Sequence, residues 1–175
     1  VLHLPDKVRS LLAIDHATHM RPLLEFFARY QRYCTILIGK GRSRIFLLDV
    51  GGVEERSDVS SEVPGRHDEG GWAQARYQRH HDDLVMHHLK EMAEETFSLL
   101  RDEEFDGLFV CGTDEVVSEF IEYLHPYLRE RLFGSFPIQM TSSAAEVQQS
   151  TLAEGAELLE ARDADAVEKL RAGGH

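Results

Sequence analysis

The apolar positions of the chain change their period several times, and each change marks an expected element boundary. The first nineteen residues, VLHLPDKVRSLLAIDHATH, hold no sustained period and read as an irregular lead-in or the tail of a preceding domain. In RPLLEFFARYQRY, residues 21–33, Leu24, Phe27 and Tyr30 or Gln31 fall at helical spacing behind Pro22, which suits a first helical turn, so a short helix is predicted. CTILIG then reads as a compact apolar strand, GKGR as a turn and RIFLLDV as a second strand, together an antiparallel hairpin ended by Gly51 and Gly52. Residues 53–71 are polar and rich in Gly, Ser and acids; part of them is expected to return as an edge strand around Val53 or Val59.

Beyond that connection the period becomes helical. Tyr77, His81, Leu84 or Val85, Leu89, Met92, Thr96 and Leu100 share one side of a helix predicted over about 72–101, while Arg76, Arg79 or His80, Asp83, His87 and Lys90 share the other. FDGLFVCG is a further strand, and Thr113 or Asp114 caps an amphipathic run that ends near Leu124. Pro126 opens a second short helix in HPYLRERLF, SFPIQM is read as one more strand, and 143–170 as one long or two broken helices. The order hairpin, helix, strand, helix, strand, helix predicts an α/β domain, a mixed sheet covered by helices.

Composition changes this picture in two ways. The formal charge of −12 disfavours wrapping a polyanion, but the charge is uneven. Residues 1–50 carry eight Lys or Arg against four Asp or Glu, and 66–90 carry four of each with five histidines, whereas 91–141 carry twelve acids against three bases. That distribution suits docking of a local tip. The two cysteines, Cys34 and Cys111, lie in apolar strand-like runs, where a thiol behaves as a small hydrophobe; with no apolar run of spanning length, a cytoplasmic protein is expected, with no membrane partner.

The segment with chemical content is PGRHDEGGWAQARYQRHHDD, within residues 64–83. Gly70 and Gly71 permit close backbone approach, and their N–H groups with those of the following helix start can meet an oxyanion or phosphate. Arg76 and Arg79, with His80 and His81, supply forked and titratable donors for an RNA backbone, and Trp72 can stack on a base. Asp83, His87 and Glu91 follow at i, i+4 and i+8, yet no HExxH or paired-cysteine spacing accompanies them, so neither metal nor cofactor is expected. No phosphate loop, dinucleotide fingerprint or nucleophile elbow is present.

GGWAQARYQR, residues 70–79, resembles the Gly-Gly-Gln region of the central domain of archaeo-eukaryotic peptide-chain release factors, and more closely the bacterial relatives of that domain. The glycines, Arg76, the aromatic Tyr77 and Arg79 carry the likeness, and GLFVCGTDEVVSEFIEYL extends it, so that it covers about 33–160. The resemblance implies an RNase H-like α/β fold used as a ribosome-directed module, with the glycine loop entering the large-subunit active centre beside peptidyl-tRNA. It implies roles for Gly70 and Gly71 in the loop and for Arg76 and Arg79 against tRNA or ribosomal RNA. Position 72 departs from the motif: Trp72 stands where a release factor has Gln.

Three functions are compatible with these features. The first is a ribosome-associated translation factor, with peptidyl-tRNA hydrolysis or ribosome rescue as its chemistry; any hydrolysis is expected to rest on Gln74 and the Gly70–Gly71 backbone, Gln74 orienting water through its amide. Two residues on a regular helix turn a side chain by about 200°, so the loop must extend through Trp72 and Ala73 for Gln74 to serve. The second is a non-catalytic RNA- or protein-interaction module. The third is a metal-dependent nuclease using Asp49 and Asp114 at strand ends. The expected division is a lead-in over 1–32, the α/β domain over 33–160 and a helical extension over 161–175, with flanking domains in a longer chain.

Overall fold

The structure is a computed structural model that describes residues 32–49, 51–61 and 72–172, without the side chains of 72–75 and of much of 158–172. Of the helix expected over 21–33, residues 21–31 lie outside the described residues, as does the glycine pair at 70 and 71. Five strands, β1 (Tyr33–Ile38), β2 (Arg42–Asp49), β3 (Gly52–Ser60), β4 (Gly107–Cys111) and β5 (Leu132–Ser135), form one sheet in the order β3-β2-β1-β4-β5. The hairpin β1–β2 is antiparallel, as is β2–β3, while β4 joins β1 in parallel and β5 joins β4 in parallel. The edge strand expected near Val53 or Val59 contains both residues. One bulge interrupts it: Ile45 faces Ser57 and Phe46 faces Glu55, leaving Arg56 without a partner position.

The middle strands are apolar because both of their faces are covered. On one face Cys34, Ile36, Ile45, Leu47, Leu108 and Val110 meet α1 (Trp72–Glu103), α2 (Asp114–Tyr123) and α3 (Pro126–Glu130) through Val85, Leu89, Met92, Phe120 and Leu128. On the other face Tyr33, Leu37, Phe46, Leu48 and Phe109 meet Phe136 and Val147, the latter on α4 (Ala144–Ala172). A buried hydrogen bond of 2.8 Å between Thr35 Oγ1 and Thr151 Oγ1 ties β1 to α4. α4 opens on a capping box: Glu146 N–H donates to Ser143 Oγ and the Glu146 carboxylate accepts from Ser143 N–H at 2.7 Å. That interaction holds the Glu146 carboxyl below the usual carboxylate range.

Two local expectations change. The last strand is Leu132–Ser135, ahead of the expected SFPIQM (135–140) and sharing only Ser135 with it, because pairing with β4 runs from Leu108↔Leu132 to Val110↔Ser135, and Pro137 beyond it has no N–H to donate. Thr113 is the N-cap of α2, but its hydroxyl makes no cap hydrogen bond; its carbonyl accepts from Val117 N–H at 2.9 Å. Gly112, just before it, is dictated by packing: a Cβ there would stand 2.5 Å from the Ile38 carbonyl oxygen. Cys34 and Cys111 are free, buried thiols, and burial pushes the Cys111 thiol up to about 12.

Candidate functional site

The C-terminal part of the candidate segment is carried on α1, a helix of 32 residues. The apolar face expected from the sequence is the face that packs: Val85, Leu89, Met92, Thr96 and Leu100 are buried, and Tyr77, His81 and Leu84 are half-buried. Val85 is the first buried residue of α1 among those whose side chains are described. Residues 72–84, about 20 Å of helix, form a less buried arm ahead of it, and Gln78 and His81 on this arm face Lys40, Glu115 and Glu119 across a cavity. Arg76, Arg79 and His80 are exposed on the arm.

His81 does not join them on the open side; its side chain is 17% exposed and its Nδ1 lies 3.5 Å from Asp82 Oδ1. Gln78 Nε2 donates to the same carboxylate oxygen at 2.9 Å. The structure thus groups Arg76, Arg79 and His80 as an outward set and turns His81 toward a side cavity of about 490 Å³, which Lys40, Gln78, Val85, Glu115 and Glu119 also line. Trp72 and Gln74 sit in the first turn of α1, so the backbone at both is helical rather than extended. Gly70 and Gly71 immediately precede the described start of this helix.

A buried group that the sequence pattern did not single out anchors α1 at its middle. His88, on the packed face, is 2% exposed; its Nε2 lies 2.8 Å from Ser43 Oγ on β2 and its Nδ1 lies 2.8 Å from Ser61 Oγ just after β3. Ser61 N–H also donates to the Gly41 carbonyl at 2.8 Å. Burial lowers the His88 pKa below its ordinary value, the nearby Glu91 charge opposing, and both ring nitrogens lie within hydrogen-bond distance of a hydroxyl. A signal was present: position 88 follows Val85 by three and precedes Met92 by four, which puts it on the apolar face.

The nuclease reading is overturned by topology. β2 runs antiparallel to β1 and β4 runs parallel to it, so Asp49 at the end of β2 lies beside Tyr33 at the start of β1, whereas Asp114 follows β4 at the far end of β1. The two carboxylates stand at opposite ends of the sheet and cannot share a metal ion. Asp49 is instead bridged to Arg32 at 3.3 Å and accepts from Gly51 N–H at 2.7 Å. Among the described residues no group of three or more His, Cys, Asp or Glu side chains is placed to hold a metal, Asp83, His87 and Glu91 included. Nor is any described helix long and apolar enough to cross a membrane.

With this geometry in place, comparison with known proteins is specific. The family model of bacterial archaeo-eukaryotic release factor family 10 matches residues 19–156. Peptide chain release factor subunit 1 of Thermococcus sibiricus is 31% identical over 136 residues, covering 74% of this chain and 32% of that protein. The same factor of Methanocaldococcus jannaschii is 25% identical over 148 residues, covering 81% of this chain and 35% of its own length. The chain thus spans about a third of the curated relatives it matches. Among solved structures, an archaeal translation termination factor superposes with a TM-score of 0.55 at 18% identity, over 89% of this chain and 46% of that one. The fold is the RNase H-like mixed sheet of the release-factor central-domain type, as expected.

Proposed function

The chain belongs to bacterial archaeo-eukaryotic release factor family 10, and from that premise we propose that it is a ribosome-directed module of a translation factor, contacting large-subunit RNA or tRNA with the 70–79 segment. The observation that carries this reading is the N-terminal arm of α1, which bears Arg76, Arg79 and His80 on its exposed surface in a chain whose net charge is −12. Exposed cations on the arm give local phosphate affinity, and the net negative charge of the chain discourages nonspecific wrapping. The relatives that share this stretch of chain are peptide chain release factors, which supports a role in translation. A cytoplasmic location follows from that role.

Within this proposal the chemistry is peptidyl-tRNA hydrolysis or rescue of a stalled ribosome. Gly70 and Gly71 let the backbone approach the ester, Trp72 wedges against RNA, and Gln74 positions water. Because α1 starts at Trp72, Gln74 reaches the site of the release-factor glutamine only if the first helical turn opens on binding. The competing reading is a non-catalytic docking module, favoured by Trp72 at the position of the glutamine.

Single-turnover peptide release from defined ribosome complexes separates the two. Hydrolysis predicts release by the wild type and its loss in Gln74→Ala with ribosome binding retained. A docking module predicts no release by either, with binding abolished in Gly71→Ala and Trp72→Ala. For the RNA-facing arginines, Arg76→Ala with Arg79→Ala is expected to flatten the salt dependence of co-sedimentation with large subunits by about 0.7 in log–log slope for each phosphate no longer neutralised. An unchanged slope removes the two arginines from the interface.

A further inference from the structure

At the end of the sheet away from the arm, the last turns of α1 and the turn into β4 enclose a cleft of about 1070 Å³ against α3. Phe97, Leu100 and Phe105 contribute apolar surface, and Tyr127 stands on its lip with 58% of its surface exposed. Tyr127 is not a loose side chain. The His125 ring stacks on Phe97 at 3.9 Å between centroids, and the Tyr127 ring lies 5.0 Å from His125. The lip is therefore an aromatic surface held in place by its neighbours and open to solvent.

The charges around it favour a cation. The cleft opens at the C-terminal end of a 32-residue helix, where carbonyls left without intrahelical partners concentrate negative partial charge. Two of the chain's own guanidinium groups already use this chemistry: Arg32 donates to the carbonyls of Glu103 and Glu104, and Arg101 lies over the Phe97 ring at 5.5 Å. A third, Arg131, donates to the Tyr127 carbonyl at 3.0 Å, so the arginines of the rim are engaged. The acids are not all matched. Glu103 bridges to Arg32 and Arg56, but among the described residues no cation is bridged to Glu104 or Glu130, both exposed on the rim. Glu104 is also kept at a backbone cost. It follows the last residue of α1 with φ 44°, in the left-handed region that Gly or Asn adopts more readily, and its N–H donates to the Leu100 carbonyl at 3.2 Å. The turn alone would favour Gly or Asn there, whereas the chain places a carboxylate on the cleft.

We propose that this cleft is a docking site for a basic, arginine-bearing segment of a partner protein, with one guanidinium stacking on Tyr127 and pairing with Glu104 and Glu130. Arginine suits the site better than lysine, because its planar group stacks on a ring while its forked N–H donors reach carboxylates beside it. A nucleic-acid strand suits it less, since its phosphates meet both the acids of the rim and the C-terminus of α1. The inference is independent of the RNA-facing role of the arm and stands or falls separately from it.

The test titrates the isotope-labelled full chain with an acetylated and amidated Gly-Arg-Gly-Arg-Gly peptide, and with its lysine counterpart, while amide NMR shifts are followed. Shifts are expected to cluster over residues 97–106 and 125–131, and the arginine peptide to bind about threefold or more tightly than the lysine peptide. Tyr127→Ala is expected to weaken the arginine peptide by about threefold or more. Glu104→Asn is expected to weaken it by about threefold as well, while the denaturant midpoint holds or rises because Asn tolerates the left-handed backbone. That variant separates recognition from folding. Absence of binding, shifts centred elsewhere, equal affinity for the two peptides, or unchanged affinity in both variants overturns the proposal. An octauridine strand that shifts the same amides assigns the cleft to RNA, and a sedimentation coefficient that rises with concentration in the wild type but not in Tyr127→Ala assigns it to a second copy; either result also overturns it.

Discussion

The two long helices, α1 and α4, overhang opposite ends of the same sheet. α1 is packed from Val85 onward, and its earlier turns are less buried and lie toward the end of the sheet where β1 finishes. α4 starts at that end, where the Arg44 guanidinium donates to the carbonyls of Met140 and Ser142, crosses β1 at Thr35, and passes Tyr33 and Phe109 at Gly155. Its remaining residues continue past the start of β1, where Glu157, Ala161, Ala164 and Lys169 are exposed. Both the entry of the chain at Arg32 and the exit of α4 thus lie at one pole, and the arm lies at the other. The difference teaches how one sheet supports two unlike helices: α1 presents its less buried turns, with Arg76, Arg79 and His80, at one pole, while α4 runs out toward the pole where Arg32 is bonded to Asp106.

If the comparison is right, stability and binding separate along α1. The largest effect is expected in its packed part: Leu89→Ala should cost about 2–5 kcal/mol, read from the denaturant midpoint, because the cavity sits within the main core cluster. Gly112→Ala should cost about 1–3 kcal/mol, since the added methyl meets the Ile38 carbonyl, which cannot swing aside like a side chain. Acid comes next. With the His88 pKa lowered in the fold, the unfolded chain binds the proton more readily, so stability present above about pH 6.5 should fall as pH drops through that value toward the folded pKa. His88→Gln should remove that part of the pH dependence; an identical pH profile in the variant excludes His88 as its source. Smallest of all, Arg76→Ala with Arg79→Ala should change stability by no more than about 0.5 kcal/mol while weakening association with large subunits. A destabilisation comparable to that of Leu89→Ala would show that the arm is part of the core and break the contrast.

Much of this was legible in the chain. The 3.6-residue spacing from Tyr77 to Leu100 named the packed face of α1 correctly, and the apolar runs CTILI and RIFLLD placed the hairpin, because burial on a sheet or helix leaves a trace in the pattern. What carries no local pattern was missed. SFPIQM looks like a strand by composition, but only register with β4 shows that the pairing residues are the preceding LFGS, Leu132–Ser135. Asp49 and Asp114 both sit at strand ends, and nothing local tells that those ends are on opposite sides of the sheet; strand direction is a tertiary fact. His88 was legible as a position yet not as a partner, since Ser43 and Ser61 approach it from 45 and 27 residues away. His81 reads from the sequence both as a member of the packed side of α1 and as a member of the RNA-facing set; one step along a helix turns a side chain by about 100°, and the structure leaves its side chain 17% exposed beside Asp82 while His80 is exposed.

The place of His88 on α1 has a mechanical meaning. It lies at the midpoint of Trp72–Glu103, with sixteen residues on one side and fifteen on the other, or spans of about 24 and 22 Å. The half beyond it is clamped along its length by Leu89, Met92, Ala93 and Leu100 in the core, so α1 is a cantilever rather than a lever: the direction in which the Arg76 end points is set by the clamped half, and Ser43 and Ser61 brace it where that clamp begins.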